Sequence, residues 1–447
     1  MVAYVPPKQA GKYKAVASGA ITNGKPVLVN STGTVSEISA TAVSVGSEVV
    51  FESANAQYVS ATFDSSNNKV VIAYRDRGNS DYGTAIVATI DSSDNSVSYG
   101  SPTVFNSANS LFNSATFDSS NNKVVIAYQN GGDSSHGYAI VGTVSGTSIS
   151  FGTHTEFEGA IANYINSTFD SSNNKVVIAY SDSGNSSRPT AVVGTVSSTS
   201  ISFGTPVQVN DSRGEYLQGI TFDSSNNKVI IPFPDASESD YGYVCVGTVS
   251  GTSISFGTPV VFNSAQIYFP SAAFDTNSNK VVISYRDGST NQGEAIVGTV
   301  SGTGISFGTA VVFETGSMNY TNTVFDSSVN KINIFFDDTG DSSKGKLVVG
   351  TVSNTAISFG SATVFNAADT DYISSAFDSN VNRVLIAYQD VGNSSYGTGI
   401  VLQNAIPTNI TSENFIGIAS GGTYADTAEA TIDVVGTVNK DQSGLTA

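Results

Sequence analysis

The sequence predicts an all-β protein, and three observations support this class. The apolar residues lie in short runs rich in valine, isoleucine and aromatic residues, and no long segment has the spacing of an amphipathic helix. Serine, threonine, asparagine and glycine fill the intervals between the runs. One stretch, FDSSNNKVVIAY at Phe63, recurs along the chain at steps of 51 to 54 residues. A period of this length is typical of architectures in which each copy is one supersecondary unit.

Each copy of the repeat is predicted to be a four-stranded antiparallel sheet. The copies begin at Phe63, Phe117, Phe169, Phe222, Phe274, Phe325 and Phe377. The first copy shows the four β-prone stretches as YVSATFD, VVIAYRD, TAIVATI and VSYGSPTVF, with links too short for crossover helices. The second stretch is apolar throughout, which indicates a strand buried on both faces. Stacking the sheets against one another provides that burial.

The two ends of the repeat predict a closed ring. A fourth-strand sequence, VSVGSEVVF around Val45, precedes the first complete copy, whereas the last copy ends at GTGIVLQNA without one. An open stack would leave this strand and the three-stranded remnant far apart, each with an exposed edge. In a ring, the strand at residues 42–51 completes the sheet that begins near Tyr372. The sequence therefore predicts a seven-bladed β-propeller over residues 38–407.

Two regions depart from the repeat. Residues 1–37 and 408–447 contain further strand and turn signals, and we expect them to form one small β module. This module has few apolar positions, so it is expected to need partner subunits. In the fourth copy, Pro232 and Pro234 remove amide donors from an inner strand, which predicts a bulge or a shortened pairing.

Composition and charge exclude several classes of partner. The 447 residues carry 19 Lys+Arg and 37 Asp+Glu, and the formal net charge of -18 repels nucleic-acid phosphates and anionic lipids. Cys245 is the only cysteine and lies in the apolar run YVCVGTV, so a buried thiol is predicted. The chain shows no signal-peptide core and no run of membrane-spanning length. We expect neither nucleic-acid binding nor membrane insertion.

The links between strands differ on the two faces of the predicted ring. We call the face with the links after the first and third strands the lower face, and the opposite face the upper face. The lower links are near-identical copies such as DSSNNK and SGTS, whereas the upper links range from RDRGNSDYG to PDASESDYG and RDGSTNQG. Because loops on a rigid scaffold often carry binding residues, the upper face is the predicted interaction surface.

Two repeated acidic motifs each have a functional and a structural interpretation. Asp64, Ser66 and Asn68 alternate as in a calcium loop, but the central Gly and the terminal Glu are missing. An Asx-type hairpin turn explains these residues, and no metal or cofactor is predicted. The acidic residue after the second strand would be able to hold a cation or sugar hydroxyls, although capping of the next turn is the interpretation we favour. It recurs as Asp76, Asp182, Asp235, Asp287, Asp338 and Asp390, with Asn130 in the second copy.

An aromatic residue opens the first strand in six of the seven copies. These residues are Tyr58, Phe112, Tyr164, Phe269, Tyr320 and Tyr372, and the fourth copy has Leu217 preceded by Tyr216. They either line the central opening and stack on a ligand or pack between neighbouring blades, and we favour packing. The candidate ligand-binding residues of the upper face are these aromatic residues together with Arg75, Asp76, Tyr82, Arg188, Tyr216, Arg286, Asp287 and Asp338.

Signals of catalysis are weak, and we expect no enzymatic activity. The two histidines, His136 and His154, lie in different links and do not recur in other copies. The sequence has no metalloprotease, nucleophile-elbow or phosphate-loop motif and no tryptophan. Asp337 and Asp338 are adjacent, but nothing in the sequence indicates that they flank a substrate.

The chain resembles a known group of proteins. FDSSNNKVVIAYRD and SISFGTPVVF are similar to propeller repeats in virion and tail-fibre-like proteins of marine tailed bacteriophages, and ASGAITNGKPVLVNSTGTVSEI is similar to the β modules of such proteins. The resemblance implies a structural protein on the external surface of a virion, made in the cytoplasm of the bacterial host. It also implies homo-oligomers, contacts of the terminal module with other virion proteins, and a host cell-surface glycan or receptor as partner.

We therefore expect a non-enzymatic tail-fibre or spike-like protein that displays a propeller for host attachment. Two alternatives remain open. One is a capsid decoration or tail scaffold protein, and the other is a glycan-degrading enzyme with its site at the channel mouth.

Overall fold

The computed structural model describes residues 11–23, 25–214, 217–408, 415–420, 423–425 and 427–434. These residues are all-β, with five single-turn 3-10 helices and no α-helix among them. No helix in this described part is long and apolar enough to cross a membrane.

The strands up to the middle of the chain are β1 (Gly11–Val16), β2 (Pro26–Val29), β3 (Val35–Glu37), β4 (Ser44–Val45), β5 (Val49–Asp64), β6 (Lys69–Asp76), β7 (Tyr82–Asp91), β8 (Ser96–Tyr99), β9 (Thr103–Asp118), β10 (Lys123–Asn130), β11 (His136–Ser145), β12 (Ser148–Phe151), β13 (Thr155–Asp170), β14 (Lys175–Asp182), β15 (Arg188–Ser197), β16 (Ser200–Phe203), β17 (Val207–Gln208) and β18 (Thr221–Asp223). The remaining strands are β19 (Lys228–Asp235), β20 (Tyr241–Ser250), β21 (Ser253–Phe256), β22 (Val260–Asp275), β23 (Lys280–Asp287), β24 (Gly293–Ser301), β25 (Gly304–Phe307), β26 (Val311–Glu314), β27 (Met318–Asp326), β28 (Lys331–Asp338), β29 (Lys344–Ser353), β30 (Ala356–Phe359), β31 (Thr363–Asp378), β32 (Arg383–Asp390), β33 (Tyr396–Gln403), β34 (Phe415–Ser420) and β35 (Glu429–Val434). The 3-10 turns are Arg77–Asn79, Ser183–Asn185, Ala236–Glu238, Thr339–Asp341 and Val391–Asn393.

The chain divides into two compact units. One is Val45–Gln403, which contains the repeats, and the other combines Met1–Ser44 with Asn404–Ala447. In the second unit, the described strands form one five-stranded antiparallel sheet in the order β1-β35-β34-β2-β3. Its small apolar cluster includes Ile21, Val27, Val35 and Ile432.

Each repeat is an antiparallel sheet with the predicted strand order. In the first repeat, β6 pairs with β5 on one side and with β7 on the other, and β7 pairs with β8 and with the start of β9. The predicted fourth strand is therefore two short pieces, β8 and the start of β9. The break falls at Gly100, whose added Cβ would lie 1.8 Å from Thr147 O of the next repeat. The break thus lies where two repeats approach through their backbones.

Four connections between successive repeats are continuous strands and not the loops that the sequence predicts, whereas the chain leaves the strand conformation between β17 and β18 and between β26 and β27. β9, β13, β22 and β31 each run 16 residues, from the outer edge of one sheet into the first strand of the next. In β13, Thr155 pairs with Ala139 of one repeat, and Ala162 pairs with Asp182 of the following repeat. The backbone stays extended because both halves of the segment have ladder partners.

The fourth repeat has the shortened pairing that its prolines predict. β19 pairs along almost its whole length with β20, but among the described residues it pairs on the other side with only the three residues of β18. Pro232 and Pro234 lack an amide hydrogen, so neither can donate a ladder hydrogen bond.

Adjacent repeats are joined by serine hydroxyls of the first strands. Ser60 Oγ accepts a hydrogen bond from Ala115 N at 2.9 Å. Ser374 Oγ accepts one from Ala61 N at 3.0 Å, which links the last repeat to the first. The pairing of β5 with β33, which the offset of the repeat predicts, is also present. The second strands are buried on both faces, as predicted, and Tyr74 is 0% exposed.

Candidate functional site

The repeated acidic turn of the lower face is a structural element. Asp64 Oδ1 accepts hydrogen bonds from Ser66 N (2.9 Å), Ser66 Oγ (2.6 Å) and Asn67 N (3.1 Å), and Oδ2 accepts one from Asn67 Nδ2 (2.9 Å). Asn68 adopts a φ of 52°, as the turn requires. The corresponding Asp is buried in every repeat. Its oxygens are engaged within the turn, which supports the Asx-turn interpretation.

The six aromatic residues that open the first strands lie in one ring. Their centroid separations are 5.1 Å for Tyr58–Phe112, 5.0 Å for Phe112–Tyr164, 5.2 Å for Phe269–Tyr320, 5.6 Å for Tyr320–Tyr372 and 5.0 Å for Tyr372–Tyr58. We call this set the aromatic ring. Leu217 takes the place of an aromatic residue in the fourth repeat and is buried. The aromatic side chains are half-buried, so they pack on one another and also keep accessible surface.

The backbone of the aromatic ring is strained. All six residues have φ between 49° and 52°, a left-handed conformation that is rare for aromatic residues. In the first repeat the ladder between β5 and β6 shifts register at this point, between Gln57 and Ser60. A bulge of this kind redirects a side chain from the pleat of the strand. The bulge therefore sets the direction of the aromatic side chains that form the ring.

A cavity of about 340 Å³ opens at the aromatic ring. It is lined by five of the six ring residues, all except Phe269, and by residues that follow the ring on the first strands, including Ser60, Asn166 and Ser271. Some of these polar groups also bond across repeats, as Asn166 Nδ2 donates to Leu217 O at 2.8 Å. The cavity therefore combines an aromatic rim with a polar wall.

Two of the candidate arginines lie beside the aromatic ring. The Arg286 guanidinium lies over the Tyr268 ring at 4.2 Å and 5.4 Å from the Phe269 centroid, and its Nη1 donates to Asn319 Oδ1 at 2.6 Å. Burial lowers the pKa of Arg286. Arg75 donates through Nη1 to Gln57 Oε1 at 3.1 Å, and Gln57 directly precedes Tyr58 of the ring. Both arginines are held by protein contacts on the upper face.

The acidic residues after the second strands cap the upper turns. Asp76 Oδ1 accepts a hydrogen bond from Asn79 N at 3.0 Å, and Asp287 Oδ1 accepts one from Ser289 N at 2.7 Å. Asp338 caps the next 3-10 turn in the same way. The favoured capping interpretation is confirmed for these three candidates.

Two other candidates, Tyr82 and Arg188, do not join the aromatic ring. Tyr82 and Arg188 begin third strands, two strands outward from the first strands. Arg188 Nη1 donates to Asn185 Oδ1 at 3.3 Å within its own loop. Tyr216 lies outside the described residues. Cys245 is buried, as predicted, and burial raises its pKa to about 12.

One position on the upper face links adjacent repeats through side-chain donors. It is the residue before the capping Asp or Asn of the second strand. Gln129 Nε2 donates to Ala162 O and Asn163 Oδ1 of the next repeat, at 2.8 Å each. Gln389 Nε2 donates to Asn55 Oδ1 at 2.9 Å.

In the sixth repeat this linking position is Asp337, which has no proton to donate when ionised. Asp337 is 2% exposed and its Oδ1 has no hydrogen-bond partner. Burial, and then the neighbouring carboxylates of Asp371 and Asp369, raise the pKa of Asp337 to about 7. Burial and Asp369 also raise the pKa of Asp371. Adjacency in the sequence pairs Asp337 only with Asp338, whereas alignment of the repeats shows that an acidic residue replaces the Gln of other repeats here.

The chain has low sequence identity to the solved structures that it resembles. No protein-family model matches it, and no curated protein matches it. It is similar to a crystal structure of a protein of unknown function from Dyadobacter fermentans DSM 18053, with 13% identity, a TM-score of 0.49, and coverage of 81% of this chain and 99% of that chain. It is also similar to the SapL1 lectin in complex with alpha methyl fucoside, with 13% identity, a TM-score of 0.43, and coverage of 70% and 97%. Similarity at this level does not indicate what this chain binds.

Proposed function

We propose that this chain is a non-enzymatic virion protein that displays a seven-bladed β-propeller for attachment to a host cell surface. The propeller inference is supported by the contacts between its first and last repeats. Ala61 N donates to Ser374 Oγ, β5 pairs with β33, and the Tyr58 and Tyr372 rings are in contact. Gly46 adds a further contact, because a Cβ there would lie 2.2 Å from Asn95 O.

The observation that carries the binding role is the strained aromatic ring. A left-handed aromatic residue costs on the order of 1 kcal/mol or more, and this cost is repeated in six repeats. Leu217 is fully buried at the equivalent position of the fourth repeat, so packing between neighbouring repeats does not need an aromatic side chain there. Local strain persists most often where it serves a binding or catalytic function. The half-buried rings, the cavity and Arg286 suit a neutral ligand that offers both apolar faces and hydroxyl groups.

A surface glycan of the host has this chemistry, since sugar rings stack on aromatic faces and their hydroxyls bond to polar side chains. The virion assignment is supported by the resemblance to phage repeats and β modules. In this proposal, the terminal sheet binds other virion proteins and the upper face points outward from the particle.

Phage adsorption tests the proposal. Purified full-length protein is added to host cells before phage particles that carry the native chain, and it is expected to reduce adsorption. Alanine replacement within residues 75–82 and 286–292, with the capping Asp76 and Asp287 retained, is expected to remove the competition while the melting temperature stays close to that of the wild type. Competition by the folded loop variant at the wild-type level would contradict the assignment of the upper face. Absence of the chain from purified virions would contradict the virion assignment. Detection of the chain only inside the particle would contradict its display on the external surface.

A further inference from the structure

The upper end of the second repeat brings together three metal-ligating side chains. Asp133 lies in the turn before β11, His136 is the first residue of β11, and Glu156 lies near the start of β13. His136 Nδ1 is 4.0 Å from Asp133 Oδ2 and 3.8 Å from Glu156 Oε2. Within the described parts of the chain, this is the group of three such residues whose ligand atoms lie within 4.8 Å of one another.

The hydrogen bonds within this group do not satisfy both carboxylates and the imidazole. Tyr138 Oη lies 2.5 Å from Asp133 Oδ2 and 3.0 Å from Glu156 Oε2, but a hydroxyl has only one hydrogen to share between two carboxylates. His136 Nδ1 is buried and has no hydrogen-bond partner, although it faces both carboxylate oxygens. A bound cation would satisfy the imidazole nitrogen and both carboxylates together.

The sixth repeat shows how the same positions are neutralised by the protein itself. Its Asp341, Lys344 and Lys346 are the counterparts of Asp133, His136 and Tyr138. Lys344 Nζ and Lys346 Nζ lie 2.9 Å and 3.0 Å from the carboxylate of Asp341.

The second repeat lacks both lysines but keeps two carboxylates, as the sixth repeat does with Asp341 and with Asp338, which Lys346 also contacts. Glu156 stands at the position of Val364, since each pairs with the matching residue of the third strand. The second repeat thus keeps two carboxylates and loses the two cationic side chains that neutralise them in the sixth. A cation bound from solution would balance this charge.

We propose that Asp133, His136 and Glu156 bind a divalent first-row transition metal ion, with Zn²⁺ the best-fitting ion. One imidazole and two carboxylates match the ligand preferences of Zn²⁺, whereas Ca²⁺ and Mg²⁺ prefer oxygen ligands alone. Ligand atoms about 2.1 Å from Zn²⁺ are about 3.4 Å apart in a tetrahedron, so the two distances from His136 Nδ1 must shorten by about half an ångström. The carboxylate side chains are 49% and 44% exposed, which leaves them free to move. A fourth position stays open to water or to a ligand donor atom.

Calorimetry with ZnCl₂ tests this site on the full chain after chelator treatment and dialysis. Wild type is expected to bind one Zn²⁺ per chain, and His136→Ala is expected to weaken binding at least tenfold. Glu156→Val and His136→Lys introduce the residues that the sixth repeat has at these positions. Both are expected to weaken Zn²⁺ binding without loss of stability. His154→Ala is the matched control, because His154 contacts the Tyr138 ring at 6.0 Å but is not in the ligand group.

Three results would overturn the proposal. They are no saturable Zn²⁺ binding by wild type, unchanged binding by folded His136→Ala or His136→Lys, and equal binding of CaCl₂ that does not depend on His136. A rise of the wild-type melting temperature with ZnCl₂ that is absent in Glu156→Val would support the site independently of calorimetry.

Discussion

The lower turns and the aromatic ring are both repeated features of the same first strands, yet they differ in what their repetition achieves. At the lower end, Asp118 is fully buried and its oxygens accept hydrogen bonds from its own turn. At the upper end, Phe112 is left-handed, half-buried and open to a cavity. Repetition of the lower turn meets local hydrogen-bonding needs. Repetition of the ring adds strain and leaves apolar surface accessible, which is expected of a binding surface and not of a scaffold.

The largest effect is expected where backbones of adjacent repeats meet. Gly308→Ala would place a Cβ 1.8 Å from Thr355 O, so we expect a loss of about 3 kcal/mol or more in the free energy of unfolding. Gly360→Ala is the matched control, because its Cβ would meet only Val349 O at 3.9 Å. Denaturant unfolding of the two variants checks this prediction. Equal stability of the two would contradict the role of these glycines in joining repeats.

The next largest effect is expected in the lower turn. Asp118→Ala removes a buried acceptor of several hydrogen bonds and should cost about 2–3 kcal/mol of stability. Ligand binding at the upper face should not change. Chemical denaturation and a binding assay on the same sample measure the two quantities. A loss of binding by the folded variant would show that the lower turn is more than structural.

The acidic contact between the sixth and seventh repeats should make stability depend on pH. The Asp337 pKa of about 7 is above the unfolded value near 3.9, so folded protein holds a proton that unfolded protein releases. Stability from this group is complete below about pH 4 and is lost as the pH rises to about 7. Asp337→Gln, which matches Gln129 and Gln389, should therefore be more stable than wild type at pH 8, by about 2 kcal/mol, and show little gain near pH 4.

Calorimetric melting from pH 4 to pH 8 measures this difference. Asp341→Asn is the control, because hydrogen bonds from Lys344 and Lys346 lower the Asp341 pKa, whereas the Asp337 pKa is raised. That variant should gain nothing at pH 8. A constant stability gain of Asp337→Gln at every pH would contradict the proposed titration.

The smallest stability effect is expected at the upper turns. Asp182→Ala removes a cap that accepts from Asn185 N at 3.1 Å, and should cost about 1 kcal/mol. This loss should be smaller than that of Asp118→Ala in the same denaturation experiment. The reverse order would remove the distinction between a rigid lower face and a tolerant upper face.

Most features that the sequence predicts depend on one repeat, and those that it misses depend on two; the pairing of β5 with β33 is the exception. The Asx turn, the two-sided burial of the second strands and the interrupted pairing at Pro232 follow from local pattern and covalent geometry. The continuous connecting strands, such as β13, depend on ladder partners in two sheets. Asp337 with Asp371, and Asp133 with Glu156, are distant in sequence and meet through packing. Aligning the repeats position by position exposes such pairs as departures from the common pattern.

Affinity of the aromatic ring for bacterial surface glycans tests the central claim most directly. The wild type, Phe112→Leu/Phe269→Leu and Asp118→Ala proteins are measured on one array of lipopolysaccharide and capsular polysaccharides. The leucine variant copies Leu217, so its melting temperature should stay close to that of the wild type. The account predicts a glycan bound equally by wild type and Asp118→Ala and at least tenfold more weakly by the leucine variant. Equal binding by the folded leucine variant, or no glycan bound by wild type, would contradict it.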